Sequence, residues 1–235
     1  MQTAEIHHDV NRDWSRFVAT WSLLTSLVYV SLIVAIFTLV MPAAKPNPLG
    51  DTYFELMAAR HAPILYRFTI LIDVTSWIAL AGLLVGFASL LRQKAPVRGN
   101  LITLLASGLS VGFFGACLRL AGTSHFADQY FAASVTQQGA VVQSYNYLLF
   151  AINTLFSAGG LLGGIAMFLV ASGARSLPKL PRWSAVLIGI AAIAHITKGI
   201  GELATGADLG LLALPANVLM IIALVAISRK LYSSY

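Results

Sequence analysis

A chain of 235 residues that is 58% hydrophobic and 10% charged, with a mean hydropathy of +0.80, is not balanced as a soluble globular domain and reads as an integral membrane protein. The formal net charge of +6 would suit nucleic acid, but the basic residues lie in short segments between apolar runs, which is the pattern of membrane orientation, so no nucleic-acid partner is expected. A single cysteine, Cys117, excludes an intrachain disulfide and any CxxC metal or redox motif, and no metal or cofactor is indicated.

Residues 1–15 are polar and read as a cytoplasmic tail; its His7-His8 pair lacks the further ligands a metal would need. From Arg16 to Met41 an apolar run too long for a signal-peptide core forms a first span. Pro42, Pro46, Pro48 and Gly50 break it, and Thr52-Tyr53-Phe54-Glu55 has the form of a capping box opening a short interfacial helix that ends at His61. The second span, Ile64 to Leu91, carries Tyr66, Thr69, Asp73, Ser76 and Trp77 on one stripe, with Arg67 turned elsewhere. A third span, Asn100 to Ala121, contains Gly108-Leu109-Ser110-Val111-Gly112. Turn chemistry and aromatics without Lys or Arg then predict a second interfacial segment over Ser124 to Val135.

The fourth span, Ala140 to Ala171, places Gln143, Asn146, Asn153, Ser157, Gly160 and Gly164 on one arc, a polar and small-residue seam expected to face other helices. Its glycines at 159 and 163, and at 160 and 164, have the spacing that lets helices approach closely in lipid. Pro178 and Pro181 end the next loop, and the fifth and sixth spans follow from Ser184 to Gly206 and from Leu211 to Ile227. The expected fold is therefore one all-α domain, 1–235, built as a bundle of six transmembrane helices with short interfacial helices in its first and third connecting loops. Ten basic residues fall on one side (Arg12, Arg16, Arg92, Lys94, Arg98, Arg175, Lys179, Arg182, Arg229, Lys230) and two on the other (Lys45, Arg60), which predicts that both termini are cytoplasmic; the expected location is a bacterial inner membrane.

The costly residues lie in Ala194-His195-Ile196-Thr197-Lys198-Gly199-Ile200-Gly201-Glu202-Leu203-Ala204-Thr205. At ~100° per residue, His195, Lys198, Glu202 and Thr205 share one arc, while Ile193, Ile196, Ile200 and Leu203 take the remainder. Ionisable groups inside a span are expensive and mark a functional site by default. A helical rise of ~1.5 Å per residue puts His195 near the midplane, Lys198 beyond it and Glu202 near the outer surface. It puts Asp73 about halfway down its span, with Asn146, Asn153 and Asn217 in the outer half or near the middle.

These groups predict an outward-facing pocket lined by the second, fourth, fifth and sixth spans and closed toward the cytoplasm by apolar residues and paired glycines. Lys198 is the expected ligand-orienting charge, with Glu202 and Asp73 setting its protonation and His195 forming the floor. Counting Arg67, Arg119 and Lys198 against Asp73 and Glu202 favours an anionic, amphiphilic ligand. The competing assignments are a structural Lys198–Glu202 pair, asparagines that only bridge helices, and Arg67 and Arg119 as snorkelling anchors.

Two resemblances bear on function. Ser110 on the third span and His195 on the fifth, with Gly199 and Gly201 following, are similar to the serine–histidine pair of rhomboid proteases, which implies an intramembrane hydrolase. The chain departs from that pattern at Val111, where the motif has glycine, at Lys198, where it has a small residue, and in having no HxxxN pair on an earlier span. Arg92-Gln93-Lys94-Ala95-Pro96 before the third span and Leu180-Pro181-Arg182-Trp183 before the fifth resemble a bacterial six-span family catalogued only as a domain of unknown function. That resemblance implies the fold and carries no activity. Binding, sensing or transport of a small amphiphilic ligand is the favoured function, with a hydrolase, or a scaffold subunit whose seam meets a partner helix or a second copy, as alternatives. On the hydrolase-free reading Ser110 packs in a glycine-lined contact, where a leucine would not fit.

Overall fold

A computed structural model describes the chain except for residues 1, 36, 39–50, 178–179, 207–208 and 234–235, and except for the side chains of 2–11, 51–54, 175 and 211. The helices are α1 (Gln2–Ala35), α2 (Asp51–His61), α3 (Pro63–Arg92), α4 (Pro96–Gly108), α5 (Ser110–Ala132), α6 (Val135–Gly173), α7 (Arg182–Thr205) and α8 (Ala213–Tyr232). Among the described residues there is no strand. Six segments are long and apolar enough to cross a membrane: Arg12–Ala35, Pro63–Arg92, Pro96–Ala132, Val135–Gly173, Arg182–Thr205 and Ala213–Tyr232. The chain is thus an all-helical, multi-pass bundle. The Pro42–Gly50 break, Lys45, Lys179 and the Thr52 side chain of the expected capping box lie outside the described residues.

Local chemistry explains most boundaries. Pro63 and Pro96 open α3 and α4, where the missing N–H costs nothing. Ser134 opens α6 with a reciprocal capping box to Gln137. Gly206 closes α7 at φ 68°, its N–H bonded to the Glu202 carbonyl at 2.8 Å.

Three sequence expectations change. The polar tail does not stand apart from the bundle helices, because α1 starts at Gln2 and runs without interruption into the first span. The second interfacial segment is no separate helix: α5 continues through Ser124 to Ala132, since no proline interrupts it and its Thr123, Ala127 and Tyr130 are buried. Instead the third span breaks at Leu109, whose N–H bonds Ala106 at 3.2 Å in an i−3 turn between Gly108 and Ser110.

The core sits toward the end of the bundle that carries both termini, where Leu83, Leu84, Phe87, Val170, Met220 and Leu224 are buried together. A smaller cluster packs Leu56 and Ala59 of α2 against Ala127, Tyr130 and Tyr145 of α5 and α6. Large apolar residues on the opposite helix faces are open, including Phe150 at 67% and Ile193 and Ile200 at 54% each, a surface suited to lipid rather than water. Glycines let α6 and α7 cross closely. A Cβ on Gly199 would lie 2.9 Å from the Ser157 carbonyl oxygen, and one on Gly164 would lie 3.1 Å from that of Ala192.

Candidate functional site

Two polar groups form inside the bundle. In the first, α7 carries Lys198 and Glu202 one turn apart, with Lys198 Nζ 2.6 Å from Glu202 Oε2. A carboxylate in the last turn of a helix sits at the negative end of the helix dipole, so it needs donors from elsewhere. Glu202 has them: Ser157 of α6 donates its hydroxyl to Oε2 at 2.6 Å, and the Leu209 N–H in the loop after α7 donates to Oε1 at 2.9 Å. His195, further down α7, donates Nε2–H to Asn217 Oδ1 of α8 at 3.2 Å.

Of these residues, Ser157, His195, Lys198 and Asn217 border a cavity of about 150 Å³. Helix α3 contributes Asp73, Ser76 and Trp77; α6 contributes Phe156, Ser157 and Gly160; α7 and α8 contribute His195, Lys198 and Asn217. Tyr29 and Leu32 of α1 complete the wall. A second recess of about 440 Å³ shares Phe156, Ser157 and Lys198 with it and is otherwise lined by Phe150, Asn153, Thr154, Glu202, Leu203 and Gly206. Toward the termini the cavity ends on the packed layer of Leu83, Leu84, Phe87, Met220 and Leu224.

The sequence therefore picked out residues that do meet. Asp73, His195, Lys198 and Asn217, from three spans, face one cavity, and Glu202 and Asn153 face the adjoining recess. Asn146 is exposed on α6 and lines neither space. The seam is accordingly split: Ser157, Gly159, Gly163 and Gly164 are buried, whereas Gln143, Asn146 and Asn153 are exposed. Lys198 pairs with Glu202 alone, because among the described residues Asp73 has no cation within ion-pair distance. Ser110 is exposed and outside the cavity, so the serine–histidine pair of the hydrolase reading is not assembled.

What sequence inspection missed is mostly aromatic. Tyr29 is a lone phenol in the first span, and Phe156 an unremarked apolar residue beside Ser157; neither carries a spacing that announces a wall. Trp77 is held by glycine: a Cβ on Gly112 would lie 2.6 Å from its ring, so the glycine two residues beyond Ser110 makes room for the indole. Trp77 also stacks on Phe156, with centroids 6.0 Å apart and planes 2° from parallel. Its Nε1 is buried with no hydrogen-bond partner among the described residues.

The second polar group corrects the role expected of Arg119. Rather than reaching the lipid surface, its guanidinium forms an ion pair with Glu55 of α2 through both Nη2 and Nε. Tyr145 donates to Glu55 Oε2 at 2.8 Å and Tyr66 at 3.2 Å, while Thr123 and Tyr145 share a 2.7 Å hydroxyl contact. Four helices, α2, α3, α5 and α6, are thereby tied to one carboxylate. The signal was available: an arginine in an apolar run needs an acid at the same depth, and Glu55 lies on the same side of the bundle. Arg67, by contrast, is exposed, as an anchor would be.

Among the described residues no group of His, Cys, Asp and Glu is arranged to hold a metal ion. Comparison with protein-family models, with curated proteins and with solved structures finds no match.

Proposed function

We propose that this protein binds a small amphiphilic ligand in the cavity between α1, α3, α6, α7 and α8, as the recognition step of sensing or transport. The observation that carries this is the polar lining of a mid-bundle cavity by Asp73, His195, Lys198 and Asn217, next to a larger recess with the apolar walls Phe150 and Leu203. Ionisable groups from separate spans are costly to bring together in a bilayer, and a cavity between helices is where such proteins hold ligands.

Orientation follows from charge. Eight basic residues, Arg12, Arg16, Arg92, Lys94, Arg98, Arg182, Arg229 and Lys230, lie at the end bearing the termini, and Arg60 lies at the other, which supports cytoplasmic termini and entry from the far side. The anionic preference read from the sequence loses its basis, because Arg119 and Lys198 are both neutralised by glutamates.

Gly160 supplies the test, since a Cβ there meets nothing within 4 Å. Gly160→Leu is expected to fill the cavity without disturbing the helices. In lipid nanodiscs, a panel of small cationic, neutral and anionic amphiphiles is titrated against the full chain and followed by tryptophan emission. Binding that Gly160→Leu abolishes while thermal stability is kept supports the proposal; binding unaffected by the substitution sinks it. The exposed Asn146 and Asn153 favour a second reading, a seam that meets a partner helix, which predicts that Asn146→Leu disrupts an isolable complex and leaves ligand binding intact.

A further inference from the structure

The cavity's charge balance points to the ligand's chemistry. Lys198 and Glu202 cancel at 2.6 Å, and the Glu202 oxygens are further occupied by Ser157 and the Leu209 N–H. Arg119, the cation on α5 that acts electrostatically on Asp73, has its guanidinium engaged by Glu55. Asp73 is left as the cavity's uncompensated formal charge among the described residues. A buried carboxylate in this position calls for a cation.

The rest of the wall narrows the kind of cation. Tyr29, Trp77 and Phe156 surround the same space as Asp73. Aromatic rings attract an onium group through their quadrupoles and do so best where water is excluded, and they ask for no N–H donors in return. A cavity of about 150 Å³ has the size that accommodates a benzene-sized group, which a trimethylammonium also approaches. The Trp77 N–H is buried without a full hydrogen bond among the described residues and interacts with the Asp73 carboxylate, so indole and carboxylate act on the cavity together.

Resting on the ligand-binding reading above, we propose that Asp73 with Tyr29, Trp77 and Phe156 forms a headgroup site for a small methylated ammonium compound. Asp73 neutralises the onium charge, the rings pack on its methyl groups, and any longer substituent extends past Ser157 into the recess of Phe150 and Leu203.

Three probes of one shape separate charge from fit: choline, its uncharged isostere 3,3-dimethyl-1-butanol, and the anion 3,3-dimethylbutanoate. Each is titrated calorimetrically into the full chain in nanodiscs. Choline is expected to bind at least about tenfold more tightly than the alcohol, and the anion more weakly than either. Asp73→Asn is expected to bring choline down to the level of the alcohol without changing the alcohol. Thermal unfolding checks that this variant folds, and if it does not, the comparison of isosteres on the unmodified chain decides alone. An alcohol that binds as well as choline, or an anion that binds best, overturns the cation site and leaves the ligand cavity standing. If none of the three binds, the cation site falls, and the amphiphile titration against Gly160→Leu decides the ligand cavity separately.

Discussion

Replacing Lys198 tests whether its pairing with Glu202 holds the C-terminal end of α7 together. Lys198→Met roughly keeps the volume of the side chain and removes the ammonium 2.6 Å from Glu202, leaving a carboxylate whose side chain is 10% exposed. Breaking a fully buried pair costs about 3–5 kcal/mol, because the surviving charge is stranded. Here Glu202 keeps two donors, Ser157 and the Leu209 N–H, and Lys198 is itself 19% exposed, so a cost of about 2–3 kcal/mol is expected. Glu202→Gln strands the ammonium and should cost a similar amount. The double variant Lys198→Met/Glu202→Gln removes both charges while a glutamine oxygen still accepts from Ser157 or Leu209, and it should return to within about 1 kcal/mol of the unmodified chain. Reversible unfolding in mixed micelles measures all four corners of the cycle. Single costs below about 0.5 kcal/mol that simply add would show the pair to be no stronger than an exposed ion pair and would refute this account of the α7 terminus.

The Glu55 network should hold α2 in place: in a Cys117→Ala background, a cysteine introduced at the buried Ala59 should resist a water-soluble thiol reagent, and adding Glu55→Gln should expose it. Gly199→Ala should destabilise by about 1–3 kcal/mol, since its Cβ would lie 2.8 Å from Leu161 Cβ, whereas Gly160→Ala should be neutral in the same unfolding assay. Ser110→Leu, which the sequence reading would forbid by crowding, should be tolerated because Ser110 is exposed; a severe loss of stability would show a contact there. Cysteines introduced at Thr136 and Lys94, both exposed, should react with an impermeant reagent from outside intact cells in the first case and not in the second, and the reverse pattern would invert the topology.

The six spans were legible because a bilayer imposes a simple length and polarity rule, and Pro63, Pro96, Ser134 and Gly206 mark helix ends by local chemistry that acts within a few residues. The convergence of Asp73, His195, Lys198 and Asn217 was legible for a related reason: a polar group at known depth on a known helix face has few places to go, so period and rise bring it near its counterparts. Choice of partner was decided only by tertiary structure. Lys198 had two carboxylates at comparable depth and takes Glu202, because both lie on α7 and Ser157 and Leu209 complete that carboxylate's shell, which leaves Asp73 open. Arg119 had lipid and Glu55 within reach and takes Glu55, because α2 folds back onto α5 and α6 through Leu56, Ala59 and Tyr145. The aromatic wall was least visible of all: Tyr29, Trp77 and Phe156 come from three helices, and what brings them together is how closely Gly112 and Gly159 let backbone approach a ring, a distance that no periodicity encodes.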